Sequence, residues 1–278
     1  MPYVRNEGAE IHYHFEQEIS GSSLETHRPI MILSHGFMMD TTCWYKHGYV
    51  QELKRNFDLL IIDARGHGLS GKPHNPTDYE DKTMARDVLV VMDDAGVNTA
   101  SFFGFSMGGR TGLELAYIAP ARFNFFVIAS ATPGSRTEVG KKSDVRRITS
   151  FSKGREAVAS FMDRIGPEMD PYRKEAIEGD LNAYLAKTRA NMERLDITPL
   201  LKDLSVPCLM YAGGSDPLSH DSAKAASETI PTAEFHTIAG LKHMYTFGRT
   251  DLVFPIVNEF LERNLDKRKL KTPEEETQ

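Results

Sequence analysis

The chain has 278 residues with 40% hydrophobic and 26% charged side chains, which is typical of a globular protein and predicts one domain with an insertion. The formal net charge is −6 and no lysine- or arginine-rich face can be picked out, which argues against a nucleic-acid or anionic-membrane partner. Cys43 and Cys208 lie in apolar stretches without CxxC spacing, which argues against thiol redox chemistry and a cysteine-rich zinc site.

The N-terminal residues 1–8 are polar and lack the apolar core of a signal peptide. No apolar run reaches the ~18 residues that a membrane-spanning helix needs. We therefore expect a cytoplasmic protein that does not act on a membrane.

Short apolar runs alternate with helical patterns along most of the chain. The predicted strands are residues 10–15, 29–34, 57–62, 100–104, 123–130, 206–212 and 233–238; the predicted helices are residues 50–55, 83–95, 107–119, 222–229 and 252–265. Continuous apolar runs of this length suit strands buried on both faces of a parallel sheet. The alternation predicts an α/β sheet with helices on both faces.

One connection is much longer than a crossover helix requires. Between the strands that end near Ser130 and begin near Val206 lies a charged, helix-rich segment punctuated by glycine and proline. We interpret residues 134–196 as a helical cap inserted into a core formed by residues 1–133 and 197–265. A longer helical layer on one face of the sheet is the alternative. The charged end, residues 266–278, is expected to be disordered.

The motif Gly104-Phe105-Ser106-Met107-Gly108 follows a predicted strand and opens a predicted helix. This is the context in which a G-x-S-x-G sequence exposes a serine on a sharp strand-to-helix turn. Glycines on both sides remove the Cβ atoms that would collide with the neighbouring chain. Ser106 is therefore the candidate nucleophile.

A serine hydroxyl needs a base, and the base needs an orienting acid. His243 follows the last predicted strand, where loops meet ligands at the edge of an open α/β sheet. Asp216 follows the strand 206–212, so nucleophile, acid and base come in the order that this kind of turn predicts. Asp221, further along, is the competing acid.

The oxyanion site and the pocket are expected around these residues. After the strand 29–34, Gly36 allows a sharp turn, and the N–H of Phe37 is a candidate oxyanion donor together with that of Met107. Met38, Trp44 and Phe105 are predicted to line an apolar substrate pocket; ordinary core packing is the alternative for each. His35 is interpreted as structural.

No cofactor is expected. The turn at residues 63–70 is rich in glycine but has neither the Gly-Lys-Ser/Thr ending of a phosphate loop nor GxGxxG spacing, so we interpret it as a brace for the loops. No cluster has the spacing of metal ligands such as HExxH.

Over residues 11–265 the chain resembles the α/β-hydrolase superfamily. The resemblance rests on five features, in chain order: His35-Gly36-Phe37, residues 63–70, residues 104–109, Asp216 and His243. The resemblance implies an eight-stranded, mostly parallel sheet, a helical cap, and acyl-enzyme chemistry without a cofactor. Within the superfamily the chain is similar to the branch of carboxylesterases, enol-lactonases, cofactor-free perhydrolases and C–C bond hydrolases.

Departures from some members narrow the expected activity. Ser106 stands where dehalogenase-like members carry aspartate, Met38 stands where perhydrolase-like members often carry proline, and Phe37-Met38-Met39 lacks the glycine-rich run of C–C hydrolases. We therefore expect a serine hydrolase acting on a small carboxylic ester or lactone. The alternatives are a C–C bond hydrolase, a perhydrolase, or a ligand-binding receptor without catalysis.

Overall fold

A computed structural model describes the backbone of residues 2–17 and 28–269, and side chains as far as Leu265. The strands are β1 (Tyr3–Asn6), β2 (Ala9–Glu16), β3 (Ile30–Ser34), β4 (Asp58–Ile62), β5 (Ala100–Phe105), β6 (Phe123–Ala129), β7 (Cys208–Gly213) and β8 (Ala233–Ile238). The α-helices are α1 (Thr42–Lys46), α2 (Tyr49–Leu53), α3 (Asp81–Asp94), α4 (Met107–Ile118), α5 (Glu138–Ser152), α6 (Arg155–Ile165), α7 (Arg173–Glu178), α8 (Leu181–Met192), α9 (His220–Ser227), α10 (His243–Gly248) and α11 (Thr250–Lys269).

The eight strands form one sheet in the order β1-β2-β4-β3-β5-β6-β7-β8. The β1–β2 and β2–β4 pairs are antiparallel. All other neighbours are parallel. The predicted fold class, a mostly parallel eight-stranded sheet, is therefore confirmed. Ser34, Phe105 and Gly213 all end parallel strands, so the loops after them meet at one edge of the sheet.

Apolar side chains fill both faces of the sheet because successive residues of a strand point to opposite sides. Met31 and Leu33 belong to one core cluster, and Ile32 between them belongs to the other. Phe103 and Phe102 divide between the two clusters in the same way. Burial on both faces explains why these strands read as continuous apolar runs rather than as alternating patterns.

The long connection between β6 and β7 contains the helices α5, α6, α7 and α8. Its α8 packs on the sheet side, where Ala183 and Ala186 contact Tyr79 of a short 3₁₀ turn at Pro76–Tyr79. Apolar residues of α5 and α6, including Phe151 and Phe161, join the core cluster that also contains Phe105.

Three short elements were not predicted from the sequence: β1, α1 and α10. Each spans only four to six residues, too few for a periodic pattern to be recognised. At the other end, α11 ends at Lys269, within residues 266–278, for which the sequence predicts disorder. Residues 270–278 of that predicted tail lie outside the described residues. Among the described helices, none combines the length and apolar character needed to cross a membrane.

Candidate active site

Ser106 occupies the sharp turn between β5 and α4. Its backbone angles are φ 52° and ψ −105°, a conformation that L-residues rarely adopt and that surrounding structure must enforce. The turn leaves no room for side chains beside it: a Cβ on Gly104 would collide with the Gly108 backbone, and one on Gly108 with the Ser34 carbonyl. This tight turn therefore places Ser106 at the edge of the sheet, directly after β5.

Two hydrogen bonds connect Ser106 to an acid. The Ser106 Oγ lies 2.8 Å from Nε2 of His243. On the other side of the ring, Nδ1 of His243 lies 2.7 Å from Oδ2 of Asp216. This geometry fits a histidine that donates from Nδ1 to the carboxylate and accepts the serine proton at Nε2.

Backbone contacts hold the acid and histidine loops together. The Ser215 N–H donates to the Leu241 carbonyl at 2.9 Å. A Cβ on Gly213 would collide with that same carbonyl, so the end of β7 requires glycine. His243 then begins α10, and the Phe105 ring lies 5.4 Å from the imidazole.

Asp216 is buried and well supplied with donors. Its side chain accepts hydrogen bonds from the Leu218 N–H at 2.9 Å and from the Ser219 hydroxyl, in addition to His243. Burial raises the pKa of Asp216, but the charge and hydrogen bond of His243 and the other two donors outweigh it and hold that pKa below its usual value. The carboxylate therefore stays ionised beside the imidazole.

The competing acid, Asp221, is not near His243. Its side chain is fully exposed and contacts His220 at 2.7 Å. Of the two candidates, only Asp216 contacts the histidine that binds Ser106.

The two candidate oxyanion donors lie in segments that are tied to each other. The Gly108 N–H donates to the His35 carbonyl at 3.0 Å, which joins the loop after β3 to the start of α4. His35 itself bridges two loops, since its Nε2 accepts from the Ala64 N–H at 3.1 Å and its Nδ1 lies 2.8 Å from the Gly36 carbonyl. In the described part of the chain, the N–H groups of Phe37 and Met107 have no acceptor.

The turn at residues 63–70 braces these loops, as the sequence indicated. The buried Asp63 carboxylate accepts from the Thr41 N–H at 2.8 Å and the Leu69 N–H at 3.0 Å. It also contacts Nδ1 of His12 at 2.8 Å. One carboxylate thus joins the loop after β3, the turn after β4 and the strand β2.

A large apolar cavity of about 490 Å³ opens beside Ser106 and His243. Met38 and Phe105 line it, and so do Phe161, Ile165 and Met169 from the long connection between β6 and β7. Trp44 does not line it, so that prediction is wrong. The Trp44 side chain is completely buried and packs on Tyr49, Phe103 and Phe247 at ring distances of 5.0–5.5 Å.

A second, narrower cavity of about 60 Å³ also reaches Ser106 and His243. Five basic residues line it that sequence reasoning did not single out: Arg110, Arg136, Arg147, Lys187 and Arg194. They come from α4, from the segment before α5, from α5, from α8 and from the turn after α8. No local pattern in the sequence connects them, because only the folded chain brings these five segments together.

Comparison with known proteins agrees with this geometry. A family model described as the alpha/beta hydrolase fold matches residues 29–161. The chain is 25% identical over 224 residues to 3-oxoadipate enol-lactonase 2 of Acinetobacter baylyi, covering 74% of this chain and 82% of the relative. It is 27% identical over 275 residues to a putative carbamate hydrolase of Azorhizobium caulinodans, covering 94% and 97%.

Among solved structures, the enol-lactonase from Burkholderia xenovorans LB400 superposes with a TM-score of 0.80 at 25% identity, covering 94% of this chain and all of that one. The chain therefore has the α/β-hydrolase fold.

Proposed function

We propose that this protein is a serine hydrolase that cleaves a small carboxylic ester or lactone through an acyl-enzyme intermediate. The observation that carries the proposal is the continuous hydrogen-bonded line from Ser106 through His243 to Asp216, with the serine on a strained turn. A serine hydroxyl is a weak nucleophile unless an adjacent base takes its proton. Here the base is in contact with the hydroxyl and an ionised acid orients it.

In the proposed reaction, Ser106 Oγ attacks the substrate carbonyl while His243 Nε2 takes the hydroxyl proton. Asp216 holds the ring in the tautomer that leaves Nε2 free and stabilises the imidazolium that forms. His243 then protonates the leaving alcohol or enol oxygen. A water molecule, deprotonated by the same nitrogen, releases the acid and restores Ser106.

The tetrahedral intermediate carries a negative oxygen that needs donors already in place. The N–H groups of Phe37 and Met107 lie on either side of the junction between the loop after β3 and the start of α4. Neither has an acceptor within the described residues. Met107 is also the first residue of α4, where the helix dipole favours negative charge. We assign the oxyanion site to these two groups.

We further propose that residues 134–196 act as a cap that selects the substrate. Every group assigned to the chemistry lies outside this segment. Its Phe161, Ile165 and Met169 nonetheless face the same apolar cavity as Met38 and Phe105. A cap in this position excludes water from the acyl site.

The relatives support hydrolysis and are consistent with an ester or lactone. The two relatives named above are called an enol-lactonase and a putative carbamate hydrolase, and both names describe hydrolysis at a carbonyl group. Because one fold hosts many activities, the assignment depends on the site and not on the fold.

The test is covalent labelling combined with a pre-steady-state burst. A fluorophosphonate probe should label the wild-type protein at Ser106, and mixing with p-nitrophenyl acetate should release a burst of p-nitrophenol. Ser106→Ala should remain folded, lose the label and lose about 10⁶-fold in turnover. Ser160→Ala, at an exposed position of α6, is the matched control and should retain both signals.

A folded Ser106→Ala variant with near-normal turnover would defeat the proposal. A wild-type protein that neither takes the label nor shows a burst would instead favour the receptor alternative.

A further inference from the structure

The narrow cavity beside Ser106 is rich in hydrogen-bond donors. Ser106 and His243 line it together with polar and apolar neighbours and with five basic residues: Arg110, Arg136, Arg147, Lys187 and Arg194. Within the described residues, no aspartate or glutamate lines it. A cavity with this lining adjoins the nucleophile directly, so whatever fills it lies next to the scissile bond.

The acids behind the cavity do not balance these charges. Asp81 is shared by Arg110 at 2.8 Å and Lys187 at 3.4 Å. Asp144 is likewise shared by Arg136 at 2.6 Å and Arg147 at 2.8 Å. The fifth cation, Arg194, makes neither an ion pair nor a side-chain hydrogen bond with any described residue.

A third acid lies close by but does not restore the balance. Glu114 interacts with the charge of Arg110, although burial raises the pKa of Glu114 above its usual value. Even a fully ionised Glu114 leaves five positive charges facing three negative ones. The excess is positive and it is concentrated around the cavity.

Holding these buried cations close together is costly. Burial and the charges of Arg110 and Arg136 lower the pKa of Arg194 to about 10. Burial also lowers the pKa of Lys187, against the attraction of Asp81. Charges that are desolvated and repel one another in a cleft are characteristic of functional sites, where a ligand of opposite charge compensates them.

Several polar groups at the cavity have no partner in the described part of the chain. The Ser130 hydroxyl is one of them, although Ser130 is only 2% exposed. Ser130 directly follows β6, has a backbone φ of 49° and lines the cavity. The Nε atoms of Arg147 and Arg194 also lack acceptors. Buried donors left unsatisfied are unusual in proteins and call for an explanation.

We propose that this cavity is a subsite for a carboxylate of the substrate, so that the enzyme acts on esters or lactones that carry a carboxylate near the scissile carbonyl. The inference rests on the proposed function and names its substrate class. Guanidinium groups present paired N–H donors that match the two oxygens of a carboxylate. The volume of about 60 Å³ admits only a small group, since one water needs roughly 10–15 Å³ of such space.

The rest of the substrate has its own space on the other side of the nucleophile. The apolar cavity of about 490 Å³ shares Phe37, Ser106, Arg147 and His243 with the basic one. Arg147 lies at the junction, with its guanidinium 5.8 Å from the Phe37 ring. A substrate with an anionic end and an apolar body would therefore place its carbonyl between the two, at Ser106.

The experiment compares esters that differ only in charge. Monoethyl glutarate is paired with the ethyl ester of its carboxamide, and 4-acetoxybutanoate with its carboxamide, so that the carboxylate lies on the acyl side in one pair and on the alcohol side in the other. Proton release measures kcat/KM. In at least one pair the anion should be preferred by about tenfold or more, because hydrogen bonds between charged partners are the stronger class.

Two variants locate the effect. Arg147→Gln and Arg194→Gln should each reduce that preference, the ratio of kcat/KM for the anion to kcat/KM for its carboxamide, at least about fivefold, chiefly through the KM of the anion. Arg189→Gln is the matched control, since Arg189 is exposed on the same helix as Lys187 and does not line the cavity. It removes the same charge from the protein and should leave the preference unchanged.

A binding measurement tests the subsite without the arginine variants. Glutarate should inhibit the wild-type enzyme competitively and bind Ser106→Ala in calorimetry, and glutaramide should do neither. Equal rates for the anion and the amide in both pairs, together with no glutarate binding, would overturn the subsite. Fluorophosphonate labelling separates the two proposals: a labelled enzyme without anion preference defeats only the subsite, whereas glutarate binding by an unlabelled protein defeats only the proposed hydrolysis.

Discussion

Ser106 and Asp216 show how individual residues depend on contacts that are remote in sequence. The strained serine backbone is possible only because Gly104 and Gly108 leave room for the Ser34 and Gly108 backbones. Asp216 remains ionised although it is 2% exposed, since three donors converge on its side chain. At this scale the site depends on which groups are in contact. Replacing one carboxylate oxygen by an amide nitrogen is enough to disturb the hydrogen bonds of the site.

At the residue scale we predict that Asp216→Asn lowers kcat by about 10⁴, because an amide favours the wrong imidazole tautomer without altering shape. Asp221→Asn, which changes an exposed carboxylate whose partner among the described residues is His220, should stay within about twofold of wild type. Steady-state hydrolysis of p-nitrophenyl acetate by both variants measures the effect. If Asp221→Asn were the more damaging change, the assignment of the acid would be wrong.

The strands and the helices contribute different parts of the candidate site. Parallel strands carry Ser106, Asp216 and His243 on the loops that follow β5, β7 and β8. The helices between β6 and β7 supply part of both cavities instead, with Phe161 and Ile165 from α6 in the apolar one and Arg147 from α5 in both. Substrate preference can therefore change through these helices without moving the reacting groups.

At the element scale we predict that Phe161→Ala and Ile165→Ala lengthen the preferred acyl chain. Each change enlarges the apolar cavity on its far wall and leaves the serine turn untouched. The measurement is kcat/KM over p-nitrophenyl esters from acetate to decanoate, with fluorophosphonate labelling of Ser106 as the check on reactivity.

Val158→Ala is the control for this series, because Val158 is fully buried on the same helix but does not line the cavity. It should lower the unfolding temperature without changing the chain-length profile. If all three substitutions moved the profile equally, or none did, α6 would be structural only.

Across the whole molecule, buried ion pairs connect α8, in the long connection between β6 and β7, to helices that flank the sheet. Asp81 opens α3 and binds Arg110 of α4 and Lys187 of α8. Burial raises the pKa of Asp81, but Lys187, Arg110 and Arg194 outweigh it and lower that pKa to about 2. Removing one partner of such a group leaves the others buried without compensation.

At this scale we predict that Asp81→Asn lowers the free energy of unfolding at neutral pH by about 3–5 kcal/mol. The folded pKa lies below the value of about 3.9 for an unfolded aspartate, so the stabilisation is complete above roughly pH 4 and is lost as the pH falls toward 2. Urea unfolding between pH 7 and pH 3 should therefore show the gap between wild type and variant narrowing only at the acid end.

The exposed Asp221→Asn variant serves again as the control and should follow wild type at every pH. Two results would contradict the role assigned to the Asp81 charge beside the basic cavity. One is a difference in unfolding free energy between wild type and Asp81→Asn below about 1 kcal/mol at pH 7; the other is a difference that stays constant down to pH 3.

Local patterns in the sequence determined the strands from β2 to β8, the serine turn, and the chain order of Ser106, Asp216 and His243. These follow from periodicity and from glycines at fixed spacing, which act over a few residues and are therefore visible in one dimension. The choice of Asp216 over Asp221 was already favoured by its position directly after a strand.

Only the tertiary structure decided what surrounds those residues. Trp44 belongs to the core because Tyr49, Phe103 and Phe247 pack around it. The local sequence around an aromatic residue near a loop does not show whether its side chain faces the core or a cavity. Arg110 and Arg194 lie 84 positions apart in a chain whose net charge is −6, yet they line one cavity with three other cations. Net charge and local composition average over the whole surface, whereas a binding site depends on the few charges that folding brings within reach of one another.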